Sequence, residues 1–154
     1  MKAFQDYYPP NHSVCFGCGE HNRLGLRIKS VWEGDESVCH FMPKPEFMAF
    51  PGVVYGGLIA SLIDCHNIAT AIAAAYRAEN REMDTLPAIM YVTGNLNVSF
   101  LKPTPMNTEL ILKAVVKEMK PKKMVIACSV FAGNEKTAEG EVIAIRMPEN
   151  FNQR

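Results

Sequence analysis

Hydrophobic and polar positions follow different periods in successive parts of the chain, and those periods predict its elements. The stretch through Asn22 has no period, because Pro9-Pro10 and Gly17-Cys18-Gly19 interrupt it; this predicts a structured loop with at most a short helix. Leu26, Ile28, Ser30 and Trp32 then alternate with Arg27, Lys29 and Val31, and Glu33-Gly34-Asp35 supplies turn chemistry before Ser37 to Met42. That pattern predicts a β-hairpin. Pro43, Pro45, Pro51 and Gly52 make 43–56 a loop leading to the pair Gly56-Gly57. From Gly57 to Tyr76 the only formally charged residue is Asp64, so the segment reads as a long helix with no solvated face. Its length, about 30 Å at roughly 1.5 Å per residue, would also suit a membrane span. Ser61, Asp64, His66 and Asn67 in its middle argue against lipid, and so do the strands predicted near 89–101, 108–119, 123–132 and 136–146. Lys120-Pro121-Lys122 and Gly133-Asn134 are the turns between the last three strands.

A helix that is apolar all round must be surrounded, whereas a strand pair is apolar mostly on one face. A curved antiparallel sheet wrapped around the helix meets both needs. The expectation is therefore an α+β fold in a single domain over 1–154, with a loop region at 1–24 and a core at 25–147. The free edges of such a sheet are covered by pairing with a second copy, which predicts a homodimer or a dimer of dimers.

Composition adds two constraints. Hydrophobic residues make up 48% and charged residues 21% of the 154 positions, enough for a core in one domain and against global disorder. Sixteen basic residues balance sixteen acidic ones, so no net field favours nucleic acid or a membrane surface, and an anionic ligand must be held by local charges. The five cysteines (Cys15, Cys18, Cys39, Cys65 and Cys128) are odd in number, and the first residues lack an apolar leader. Both points give a reducing cytoplasm as the expected location.

The run Cys15-Phe-Gly-Cys-Gly19, then Asn22, Gly25-Leu26, Gly56-Gly57, Asp64, and Thr93 followed by Leu96-Asn-Val-Ser-Phe-Leu-Lys-Pro103 are the residues that carry chemistry. In order and spacing they resemble the PaaI-like hotdog acyl-CoA thioesterases, over roughly Cys15 to Ile145. The resemblance implies a hotdog fold and hydrolysis of an acyl-CoA thioester to free acid and CoA. It implies Asp64 as nucleophile or general base, a backbone amide at Gly56 or Gly57 polarising the carbonyl, and Thr93 positioning water or the carboxylate. It implies no cofactor and no metal.

Elementary physics agrees with part of this. First-turn amides of a helix lack intrahelical partners and sit at the positive end of its dipole, where a developing oxyanion is stabilised. A buried carboxylate such as Asp64 costs free energy and needs a compensating role, either catalysis or a hydrogen bond to backbone or to Asn67. Gly57 and Asp64 are seven residues apart, or about 10 Å along a helix, too far to serve one carbonyl. Two antiparallel helices across a dimer can serve it together. Two positions depart from the family pattern: Tyr55 stands where a histidine usually precedes the glycines, and Ala49 where an Asn or Gln often helps hold the carbonyl or water. Tyr55 either donates a hydrogen bond or packs its ring at the start of the helix.

Other candidates are weaker. Cys65-His66 suggests a thiol-imidazole pair, but adjacent helical residues point about 100° apart, and His66 lies about 200° around from Asp64, as a core or interface histidine would. His12, Cys15, Cys18 and His21 have the residue types of a zinc site, yet the histidines are close in sequence, and the loop reads as structural, without metal. Met42, Met48, Met90 and Met106 are candidates for an adaptable acyl pocket or for core filling. Lys102, Lys120, Lys122, Lys123, Arg77 and Arg81 are candidates for the CoA phosphates or for a solvated surface. The leading function is acyl-CoA hydrolysis. Alternatives are a non-catalytic acyl-CoA-binding or sensing protein and a zinc-dependent interaction module.

Overall fold

A computed structural model describes residues 1–151; the last positions of the predicted 1–154 domain lie outside them. One long helix, α1 (Gly56–Ala78), lies against a six-stranded antiparallel sheet of β1 (Val31–Glu33), β2 (Glu36–Phe41), β3 (Tyr91–Phe100), β4 (Leu110–Met119), β5 (Lys123–Ala132) and β6 (Glu135–Arg146). The strand order is β1-β2-β4-β5-β6-β3. This is the predicted helix wrapped by an antiparallel sheet. In β5 burial alternates at every residue, with Met124, Ile126, Cys128, Val130 and Ala132 turned inward. These meet Leu58, Ile59, Leu62, Ile63 and Ile72 of α1 in one core.

The first predicted strand is shorter than the alternation of 26–32 suggests. Leu26 and Ile28 donate their amides to the carbonyls of Phe16 and Gly17 (2.8 and 3.0 Å), and Ser30 donates to the Gln5 side chain (2.9 Å). The amides that would form a ladder with β2 are thus taken by the N-terminal loop, and pairing begins only at Val31. Two short 3-10 turns, Phe4–Tyr7 and Pro10–His12, are the only helical pieces of that loop among the described residues. Phe4 packs on Trp32 with tilted rings, centroids 5.2 Å apart, and the Arg77 guanidinium covers Trp32 at 3.8 Å.

Strand β3 lies at one edge of the sheet, with Val92, Leu96 and Phe100 exposed. Apart from the exposed C-terminal residues Arg77 and Ala78, the half-buried residues of α1, Gly56, Gly57, Ala60, Ser61, Asp64, Cys65 and Ile68, fall on one stripe of the helix.

His66 is the core histidine that its helical angle predicts. It is fully buried, its Nε2–H donates to the Ser37 carbonyl (3.2 Å), and Nδ1 accepts from Ser30 Oγ (2.8 Å). Burial lowers its pKa from 6.5 to about 4, against the Ser37 hydrogen bond. A histidine held neutral in this way contributes stability that is fully present above its unfolded pKa and is lost as pH falls through the folded value. Across that window the loss is on the order of 3 kcal/mol. Urea unfolding at pH 7.5 and 4.5 should therefore show a smaller acid loss for His66→Gln than for wild type. Equal losses would show that another group governs the acid limb.

Candidate active site

Asp64 sits in the middle of α1, half-buried, and its Oδ1 accepts a short hydrogen bond from Thr93 Oγ1 at the start of β3. The contact depends on local strand geometry: β3 carries a bulge between Thr93 and Asn95, with Gly94 as the extra residue. Burial raises the Asp64 carboxyl above the usual aspartate range, the Thr93 hydroxyl opposes that rise, and negative charge at Cys15 adds to it. Asn67 does not hold Asp64; its amide donates to the Ile126 carbonyl (3.2 Å).

A cleft of about 330 Å³ opens beside Asp64 and Thr93, walled by Tyr8, Ile68, Ile72, Met90 and Met147 with the thiols of Cys15, Cys18 and Cys65. Its wall is mainly apolar, with one carboxylate. That arrangement suits a base or nucleophile acting at the end of an apolar chain. Of the methionines singled out above, Met90 lines this cleft, Met42 and Met48 are exposed, and Met106 packs on the core.

The start of α1 faces a different cleft, of about 340 Å³, lined by Gly56, Ile59, Phe100, Lys102 and Pro103. Tyr55 is the N-cap residue and makes no side-chain cap bond. The first amides to turn inward are those of Leu58 and Ile59, both donating to the Tyr55 carbonyl (3.1 and 3.4 Å). The Tyr55 ring folds over Gly57, where an added Cβ would come within 2.4 Å of it. The Tyr55 ring packs at the start of the helix, and its side chain is largely exposed. Ala49 is exposed in the loop and bonds through its backbone to Val53 (2.9 Å). Within one chain, then, Gly56 and Asp64 open to separate clefts.

Cys65 is where sequence reasoning fell short. It does not pair with His66, as the helical angle requires, but its sulfur lies 3.9 Å from that of Cys15. The sulfurs of Cys15, Cys18 and Cys65 all lie within 4.8 Å of one another, and all five cysteines are free thiols. Hydrogen bonds from Cys18 and Cys65 favour a thiolate on Cys15 and keep the other two protonated. His21, the fourth member of the suspected loop set, is not in this cluster. Among the cationic candidates, Arg81 bonds to Glu79, Thr85 and the Pro87 carbonyl, and Arg77 lies over Trp32. Lys102 lines the Gly56 cleft.

A sequence model of the thioesterase superfamily matches residues 51–139, more than half of the chain. The chain belongs to the thioesterase superfamily. Within this superfamily it is similar to acyl-coenzyme A thioesterase THEM4 of Bos taurus, at 26% identity over 132 residues, 84% of this chain and 49% of the bovine protein. The chain thus spans about half the length of the curated relatives it matches. A solved thioesterase superfamily protein from Shewanella loihica PV-4 is 44% identical with a TM-score of 0.65, over 79% of this chain and 91% of that one. The PaaI protein of the E. coli phenylacetic acid degradation operon shares the fold at 16% identity and a TM-score of 0.64, over 80% of this chain and 81% of that one. The hotdog fold expected from the resemblance is the fold of this thioesterase superfamily member.

Proposed function

We propose that the protein hydrolyses an acyl-CoA thioester to the free acid and CoA, with Asp64 as general base or nucleophile. The observation that carries this reading is a half-buried carboxylate in an apolar cleft, positioned by Thr93, in a thioesterase superfamily chain. As a base, Asp64 takes a proton from water while the water oxygen bonds to the thioester carbon; the C–S bond then breaks and the CoA thiolate is protonated. As a nucleophile, its carboxylate bonds to that carbon and expels the thiolate, and water then cleaves the mixed anhydride. Both routes consume one water and yield the same products.

The carbonyl oxygen is polarised by the Gly56 or Gly57 amide of a second subunit. Two features support this. Gly56 and Asp64 of one chain face different clefts, and the exposed edge strand β3 and the less covered stripe of α1 offer surfaces for a partner copy. In such a dimer Lys102, beside Gly56, would meet the CoA phosphates. The packing of Tyr55 over Gly57, in place of the usual histidine, favours a second reading: acyl-CoA binding without turnover.

The test is a panel of short, long and aryl acyl-CoA thioesters with detection of released thiol. Turnover of at least one is expected. Tight binding of a panel member with no CoA released from any would leave the sensing reading in its place.

A further inference from the structure

We propose that Cys15, Cys18 and Cys65 form a zinc-binding site that fastens the N-terminal loop to the central helix. The spacing of the loop alone argues against a metal, because its histidines are poor candidates for the remaining ligands. The fold supplies what the loop lacks: a third thiol, from a helix 50 residues away in sequence.

Four observations support the assignment. First, tetrahedral zinc–thiolate bonds of about 2.3 Å put sulfurs about 3.8 Å apart; the Cys15 and Cys65 sulfurs are already at 3.9 Å, and Cys18 completes the triangle within 4.8 Å. Second, the Cys-x-x-Cys-Gly turn is wound as a metal knuckle. Gly19 donates to the Cys15 carbonyl (2.8 Å), closing the turn that places both thiols on one side. Third, Gly17 leaves the space the helix thiol occupies, since a Cβ there would lie 2.2 Å from the Cys65 sulfur. Any side chain at 17 would push Cys65 out of the cluster. Fourth, the hydroxyl of Tyr8, in the same cleft wall, is buried with no hydrogen-bond partner among the described residues. A thiolate or a metal-bound water beside it would accept a hydrogen bond from it.

Three soft sulfur donors select zinc over magnesium or calcium. The three thiols line the same cleft as His12 and Asp64, from which a water would complete the coordination. The site would tie the N-terminal loop to α1 beside the packing of Phe4 on Ala69 and Ala73, so metal binding should add to stability.

The test uses the full chain, expressed with added zinc chloride and purified in a non-thiol reductant without chelator. About one zinc per chain is expected by elemental analysis. Cobalt chloride added to the stripped protein should give thiolate-to-cobalt charge-transfer absorption in the near ultraviolet. Cys65→Ser should lower zinc content at least about tenfold, as should Cys15→Ser, whereas His21→Ala should keep the metal. Circular dichroism of each variant separates loss of a ligand from loss of fold, and the cobalt spectrum of wild type stands independently of any variant.

Three results would overturn the proposal. One is a reduced wild-type protein that takes up neither zinc nor cobalt while all three thiols react with a chromogenic disulfide. Another is zinc retained in folded Cys65→Ser but lost in His21→Ala, which would assign the metal to the loop alone. The third is a Cys15–Cys65 disulfide that persists in the reductant.

Discussion

Replacing Asp64 by alanine is expected to lower acyl-CoA hydrolysis by at least about 100-fold while the protein stays folded. Each tenfold corresponds to about 1.4 kcal/mol of transition-state stabilisation, so the carboxylate is asked to supply roughly 3 kcal/mol or more. The structure separates this effect from a structural one. Asp64 is half-buried, its carboxyl is raised by burial, and among the described residues Thr93 is its one side-chain partner. A group whose folded pKa lies above its unfolded value stabilises the fold in its protonated form, and that contribution is lost as pH rises. At neutral pH the charged carboxylate is thus a burden on stability, and Asp64→Ala or Asp64→Asn should unfold at the same temperature as wild type or higher. A marked fall in both activity and melting temperature would assign Asp64 a structural role. Retention of wild-type turnover in a folded Asp64→Ala protein would remove it from the mechanism.

The legibility of this molecule in its sequence follows the range of the interactions involved. The apolar run with a lone charge gave α1 and singled out Asp64, because a buried carboxylate needs a reason within the sequence window that holds it. Turn chemistry at Glu33-Gly34-Asp35, Lys120-Pro121-Lys122 and Gly133-Asn134 marks the limits of β2 and of three of the later strands for the same local reason. Where the pattern misled, a distant segment had intervened. Leu26 to Ser30 alternate as a strand should, yet Phe16, Gly17 and Gln5 take their amides. Adjacent helical positions keep Cys65 and His66 apart, as helical geometry requires. The actual neighbours of Cys65 are Cys15 and Cys18, which no periodicity connects to it. Gly17 offered the missing signal in retrospect, since a glycine between two cysteines marks a place where another part of the chain comes close. The Thr93–Asp64 contact was suggested by resemblance, and the bulge at Gly94 that shapes it left no mark in the alternation of β3.

The shared-site arrangement predicts a recovery of activity that neither parent protein has. Gly56 is the first residue of α1, and Tyr55 before it has extended backbone angles (φ −59°, ψ 127°). Proline is tolerated at a first helical position and requires an extended residue before it, so Gly56→Pro should fold while deleting the Gly56 amide, and loss of its turnover would assign the donor to Gly56 over Gly57. Asp64→Ala deletes the carboxylate. If each active site takes the helix start from one subunit and Asp64 from the other, a hybrid of the two inactive variants has one site with both groups intact and one with neither. Statistical exchange makes about half of the dimers hybrids, so about a quarter of wild-type activity should return. Recovery should rise in proportion to the hybrid fraction measured by native mass spectrometry as subunits exchange. A site confined to one chain predicts the opposite, because every subunit in the mixture lacks one of its groups. Hybrids that form from folded parents yet stay inactive would therefore place both groups in a single chain, despite the separate clefts that Gly56 and Asp64 line.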